Sequence, residues 1–257
     1  MPEAPLEIVV VPCRADNYAY LLRAPGGETA VIDAPDAAPI AKALAERGWG
    51  LDWIWLTHHH DDHVAGVPAL QAQFGCRIAG ARADAGRLPP LDRALDEGET
   101  IALGDARAVA IDVSGHTLNH IAYHFPDAKA LFSGDSLFAL GCGRVFEGTH
   151  AMMWNSLSKL ARLDPATTVW CGHEYTLSNL AFARSVEPGN AALAEQGALI
   201  EAQRAQGAPT VPSTIGRELA ANPFLRAKEP ALQAAIGLDG ADPAAVFSEI
   251  RRRKDAF

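Results

Sequence analysis

The sequence contains no apolar run long enough to cross a bilayer. Stretches such as residues 8–11 and 53–56 fall far short of the roughly 20 residues a span requires, and they read as buried strands. Cysteine is scarce: Cys13, Cys76, Cys142 and Cys171 are scattered through 257 residues with no C-x-x-C pair. That excludes a disulfide framework, and each cysteine reads as a small buried apolar residue. Basic residues are outnumbered, 22 Lys and Arg against 31 Asp and Glu, for a formal net charge of −9. Phosphate backbones and acidic headgroups select basic surfaces, so neither a nucleic acid nor a membrane is expected as a partner. The first seven residues, MPEAPLE, have neither a basic nor an apolar leader segment, so no secretory signal is expected and the chain reads as cytoplasmic. Low-complexity tracts and internal repeats are also missing.

What is present is ordinary globular material, long enough for one large α/β domain with a smaller attachment. Residues 7–12, 18–23 and 29–33 are short, apolar and bounded by turn residues, as strands are. Residues 36–47 have helical spacing, with Ile40, Ala43 and Leu44 on one face and Gly48 as the stop. A buried strand is expected over 53–57, a helix over 64–74 and a strand over 77–79. Strands at 100–103, 108–113, 120–125 and 130–133 follow at the spacing of an antiparallel or mixed sheet. A helix over 151–163 and a last strand over 168–171 complete this part. After about residue 174 no strand is expected. Residues 176–186, 191–206, 213–221 and 243–254 read as helices, broken by Pro188-Gly189, Gly207-Ala208-Pro209 and Asn222-Pro223. The organisation expected is a sheet-containing domain over 1–173 and a helical one over 174–257.

The chemistry concentrates in Thr57-His58-His59-His60-Asp61-Asp62-His63, which directly follows a buried strand. Residues two apart on an extended chain point the same way, so His58 and His60 can grip one ion. The chain then turns into a helix, placing Asp62 and His63 at the turn. Asp61 reads as a helix N-terminal carboxylate. Four donors of this kind can saturate one metal, yet the sequence supplies three more. His116, Asp135 and His173 each follow a strand, and each adjoins a glycine: Gly115, Gly134 and Gly172. Imidazole nitrogen with carboxylate oxygen suits zinc, iron or manganese. The remaining histidines, His59, His120, His124 and His150, read as surface or packed residues.

This His-x-His-x-Asp-His signature, with His116, Asp135 and His173 behind it, resembles the metallo-β-lactamase superfamily. The resemblance implies an αββα sandwich with two divalent metal ions, zinc foremost, with iron or manganese tolerated. It assigns His58, His60 and His116 to the first ion and Asp62, His63 and His173 to the second. Asp135 bridges them with a hydroxide, and Asp135 and Asp62 serve as the catalytic carboxylates. Three further segments are similar to the glyoxalase II (hydroxyacylglutathione hydrolase) family: Gly141-Cys142-Gly143-Arg144-Val145-Phe146-Glu147-Gly148-Thr149; Gly172-His173-Glu174-Tyr175-Thr176, leading into Asn179-Leu180; and a tail that carries Asn222-Pro223-Phe224-Leu225-Arg226 and ends in Arg251-Arg252-Arg253-Lys254-Asp255. That similarity covers nearly the whole chain. It implies hydrolysis of S-D-lactoylglutathione to D-lactate and glutathione, the second step of methylglyoxal detoxification, by a monomer. By the same resemblance the glutathione contacts fall on Arg144, Phe146, Tyr175, Arg251 and Lys254, in a glutathione-binding C-terminal domain. Two of these depart from the common pattern: Arg144 replaces a usual Lys and keeps the charge, whereas Phe146 replaces a usual Tyr and lacks its hydroxyl. Arg251 and Lys254 are neighbours on one helix face, which suits a carboxylate ligand and equally suits a solvated basic helix end. Two bound ions add four positive charges at one spot, so an anionic substrate is compatible with the acidic chain. A persulfide dioxygenase, a lactonase, a phosphodiesterase and a non-catalytic metal-binding protein are the rival readings.

Overall fold

The computed structural model describes residues 6–257; most of the segment read above for a leader lies outside the described residues. The chain forms two compact units, one running to Asp112 with Asn119–Gly134, the other comprising Val113–Leu118 and Asp135–Phe257.

In the first unit the elements run β1 (Glu7–Cys13), β2 (Asn17–Arg23), β3 (Thr29–Ile32), α1 (Ala37–Arg47), β4 (Trp53–Trp55), α2 (Asp61–Val64), α3 (Val67–Phe74), β5 (Arg77–Ala81), β6 (Arg93–Leu95), β7 (Thr100–Leu103), β8 (Ala106–Asp112), β9 (Ile121–Phe125) and β10 (Ala130–Gly134). Strands β1 to β6 make one sheet, antiparallel from β1 to β3 and parallel from β3 to β6. Strands β7 to β10 pair antiparallel. Aromatic side chains join the two sets: Tyr20 lies 5.4 Å from Phe132, and Trp55 stacks on Phe125 at 5.8 Å. Outside the first sheet, α1 buries Ile40 and Leu44 in a cluster with Val11, Leu21, Val31, Ile54 and Ile78. The Asp36 carboxylate caps its start by accepting from the Ala38 N–H, and Gly48 ends it in the left-handed region at φ 64°.

One expectation needs correction here, and one element is an addition. The single helix over 64–74 is instead α2 and α3 meeting at Gly66, because Pro68 has no N–H to give and its ring would clash with the Val64 carbonyl. Gly66 also sits against the Ala34–Ala37 backbone, where a Cβ would come within 2.8 Å of the Ala37 nitrogen. Strand β6 was not foreseen, since three residues show no alternation.

The second unit holds β11 (Leu137–Phe138), β12 (Gly141–Cys142), α4 (His150–Leu160), β13 (Thr168–Cys171), α5 (Thr176–Val186), α6 (Ala191–Ala205), β14 (Ser213–Thr214), α7 (Ile215–Ala221), α8 (Pro230–Ile236) and α9 (Pro243–Ala256). Leu140, Leu180, Ala183, Leu193, Ile200 and Ala221 pack together as one of its cores. A strand does occur after residue 174: Ser213 and Thr214 pair antiparallel with Val169 and Thr168. The helix expected from 213 begins at Ile215, because Thr214 is its cap and accepts from the Arg217 N–H. The β11–β12 hairpin and α8 are additions, too short to show a period.

Candidate metal centre

In the first unit, β4 delivers Thr57 and His58 to the end of its sheet. Asp33, just past β3 at φ 57°, meets them there. Its Oδ1 accepts from the Thr57 N–H at 2.8 Å, and its Oδ2 accepts from the Thr57 hydroxyl and from His63 Nδ1, both at 2.8 Å. A carboxylate in that place holds His63 with Nδ1 protonated and Nε2 carrying the lone pair, which is how a ligating imidazole must be set. His63 Nε2 lies 3.8 Å from Asp62 Oδ2, and the Asn17 amide donates to Asp62 Oδ2 at 3.1 Å. His58 Nδ1 is 3.0 Å from the Thr57 hydroxyl, and His58 Nε2 faces His60 Nδ1 at 3.1 Å. His120, buried, stacks on His58 with ring centroids 4.6 Å apart. Gly134 is required beneath them: at φ 50° a Cβ would lie 2.8 Å from both the His120 ring and the Thr57 hydroxyl. His59 turns away to Asp84 at 3.0 Å, and exposed Asp61 pairs with Arg14 at 2.9 Å.

In the second unit, His116 and His173 converge on one oxygen. Asp135 Oδ2 lies 3.5 Å from His116 Nε2 and 3.3 Å from His173 Nε2, and all three side chains are buried. His116 Nδ1 donates to the Arg144 carbonyl at 2.8 Å, fixing the same tautomer as in His63. The chain returns past Asp135 at Gly143, where any Cβ would collide with the Asp135 carbonyl at 2.0 Å.

The expected substrate contacts fall around these histidines. Phe146 is 61% exposed and presents an edge to His116 at 5.3 Å between centroids. Tyr175, 39% exposed, stacks on His173 at 4.6 Å. Arg144 is more than half exposed, and its Nε pairs with Asp255 at 3.4 Å. Arg251 is 4% exposed; its Nη1 donates to the Cys142 carbonyl at 3.0 Å, and its Nε and Nη2 donate to Asp255 at 3.1 and 2.8 Å. Lys254 donates to the Ser178 carbonyl at 3.2 Å, and burial together with Arg251 holds its ammonium below the usual lysine value.

Cysteine chemistry does not compete with a metal here. All four thiols are buried and outside any disulfide, and burial pushes Cys142 up to about 11 and Cys13 and Cys171 up to about 12. They are neutral thiols near pH 7, not nucleophiles. A set of imidazole and carboxylate groups in which His63 and His116 already have the second ring nitrogen engaged fits divalent ions of the zinc type. Asp33 was not singled out from the sequence. Its signal was an acid at the end of an apolar strand, the same placement that marked Asp135.

Residues 15–173 match the metallo-beta-lactamase superfamily, and residues 174–257 match the family described as hydroxyacylglutathione hydrolase C-terminus. The chain belongs to the hydroxyacylglutathione hydrolase family. A hydroxyacylglutathione hydrolase from Ruegeria pomeroyi is 58% identical over 98% of this chain and the whole of that one. Another, from Cereibacter sphaeroides, is 56% identical with the same coverage. The BLEG-1 B3 metallo-beta-lactamase shares the fold at TM-score 0.66 and 22% identity, covering 85% of this chain and 99% of that one. Membership in this family carries the αββα fold with a helical C-terminal region, and with the His and Asp donors above it makes the chain a binder of divalent metal ions. No helix among the described residues is long and apolar enough to cross a membrane.

Proposed function

We propose that this chain hydrolyses S-D-lactoylglutathione and related 2-hydroxyacyl glutathione thioesters to the hydroxy acid and glutathione, using two divalent ions, zinc in the first instance. His58, His60 and His116 would hold one ion and Asp62, His63 and His173 the other, with Asp135 a donor to both. The observation that carries the reading is identity above half along the full length of hydroxyacylglutathione hydrolases, C-terminal region included. When bound, the ions supply a water acidified enough to react near neutral pH and a Lewis acid for the thioester carbonyl.

The chain's own groups do the rest. Asp33 and the Arg144 carbonyl hold His63 and His116 in the ligating tautomer. Asp62 is held by Asn17, which keeps its carboxylate turned toward His63. Glutathione carries two carboxylates, which match the positive charges of Arg144 and Lys254, with Arg251 supporting the loop that bears Arg144. Tyr175 and Phe146 offer partly exposed aromatic faces beside His173 and His116 to the peptide body. The leaving thiol has an ordinary pKa of about 8.5, so it departs without a dedicated acid. The proposal divides labour at residue 173/174, with the catalytic part before it and the glutathione-binding part after. The reaction is assigned to the cytoplasm, where the four thiols stay reduced, and to a monomer.

The test is steady-state hydrolysis by purified protein of measured metal content. Lactoylglutathione turnover should rise with metal to two equivalents, and kcat/KM should exceed that for any β-lactam or phosphodiester. Asp135→Ala should lose bound metal and nearly all turnover. Two full equivalents of metal with near-normal kcat in that variant would remove Asp135 from the centre.

A further inference from the structure

The loop between Asp135 and Arg144 is clamped from beneath at several points, all within the second unit. At its hairpin, the buried Glu218 of α7 accepts from the Leu140 N–H at 2.7 Å, where Leu140 holds a positive φ of 57°. Asn222 donates to the Gly141 carbonyl at 3.0 Å and to Glu218 at 2.9 Å. Farther along, Arg251 of α9 donates to the Cys142 carbonyl. The backbone up to Gly143 is therefore set by buried hydrogen bonds. The side chain of Arg144 is not: it is 56% exposed, and a long arginine at that exposure samples many rotamers.

Among the described residues, Asp255 pairs with it. Asp255, four residues after Arg251 on α9, takes Nε and Nη2 of the buried Arg251 on its Oδ1 and lies 3.4 Å from Arg144 Nε through the same oxygen. Arg251 is immobilised by the Cys142 carbonyl and by Phe224, over whose ring its guanidinium lies at 5.1 Å. It therefore fixes Asp255 rather than the reverse. The Asp255 carboxylate engages Arg144 through Nε, and a guanidinium held at Nε keeps its two terminal amino groups for a second, bidentate partner.

We propose that Asp255 is a positioning residue for substrate recognition: anchored by Arg251, it orients the Arg144 guanidinium so that its terminal edge receives a substrate carboxylate. This rests on the reading of the substrate as a glutathione thioester. It gives Arg251 a role as the strut of the recognition loop, with Arg144 as the group that meets the ligand. Because the backbone leading to Arg144 is also held by Glu218, Asn222 and the Arg251–Cys142 hydrogen bond, loss of Asp255 should alter carboxylate recognition while leaving the thioester chemistry in place.

The experiment compares lactoylglutathione with the lactoyl thioester of N-acetylcysteamine, which presents the same reacting group without either carboxylate. The variants are Asp255→Ala, Asp255→Asn and Asp255→Glu in the full, metal-loaded chain. Dissociation constants for glutathione itself, taken by calorimetry, give a readout independent of turnover. In Asp255→Ala and Asp255→Asn, KM for lactoylglutathione and Kd for glutathione should each rise roughly threefold to fivefold, the scale of a partly exposed ion pair. KM for the truncated thioester, kcat and metal content should hold, and Asp255→Glu should recover part of the loss. An equal rise for both thioesters would make Asp255 merely structural. An unchanged or lowered KM for lactoylglutathione would show that the carboxylate is idle or competes with substrate, and either overturns the proposal. If the wild-type protein itself binds both thioesters alike, glutathione recognition fails altogether, and the proposal falls with it before any variant is read.

Discussion

The proposed metal donors and the side chains beside them are held in opposite ways. His58, His63, His116, Asp135 and His173 are at most 5% exposed, and His63 and His116 each have the second ring nitrogen engaged by an oxygen. Phe146, Tyr175 and Arg144 are 61%, 39% and 56% exposed, resting on those donors or on a single carboxylate. A buried polar group must have its partner whether or not a ligand is present, so the donor set is built with the fold. An exposed aromatic or guanidinium is left mobile, and its contribution is realised only when something binds. Changes at the donors should therefore cost metal affinity, whereas changes at the rim should cost KM alone.

The sharpest way to break that contrast is Asp33→Asn. The amide oxygen can still accept from the Thr57 N–H. The amide nitrogen, placed where Oδ2 was, donates instead of accepting. His63 must then turn to the other tautomer, with Nδ1 accepting and Nε2 protonated, so Nε2 no longer has a lone pair for a metal. Metal affinity should fall roughly 10–100-fold with the fold retained, as measured by competition with a chelator. Affinity within twofold of the wild type would mean that burial, not the carboxylate, sets the donors. A smaller effect is expected from Arg251→Ala combined with Lys254→Ala. One removes the strut of the Gly141–Arg144 loop and the other a positive charge at α9. KM for lactoylglutathione should rise by the equivalent of about 1.5–3 kcal/mol while metal content stays at the wild-type level. Loss of metal in this double variant would erase the distinction between the two regions.

The same contrast explains what could be read before the fold was known. His58, His60, Asp62 and His63 stood out as a His-x-His-x-Asp-His run after a buried strand, and His116, Asp135 and His173 as donors beside glycines at strand ends, a combination hard to explain as packing. Asp33 did not, since one aspartate after a strand reads as an ordinary turn; its role appears only once β3 and β4 lie side by side and bring Thr57 to it. Strands of two or three residues, such as β6, β11, β12 and β14, carry no period to detect. Asp255 had no reading of its own beyond closing the Arg251–Asp255 segment. Its meaning depends on Cys142, more than a hundred residues earlier, fixing Arg251.

The mildest probe of the exposed rim is Phe146→Tyr. Phe146 keeps its backbone in place through its own N–H, which donates to the His116 carbonyl at 3.1 Å, while its ring stands 61% exposed with an edge toward His116. A hydroxyl added at the para position of a ring this exposed meets solvent or ligand, not a dry interior, so it carries no burial penalty and the melting temperature should not move. Where the glutathione body lies over this ring, the new hydroxyl replaces a water contact by a direct hydrogen bond worth about 0.5–1.5 kcal/mol, a fall of a few-fold in KM. The reacting bond is not touched, and a group that binds substrate and transition state alike leaves kcat where it was. A lower KM at constant kcat and constant melting temperature places Phe146 on the substrate. An unchanged KM confines the ring to its contact with His116, and a lower melting temperature would show that the ring is covered in solution.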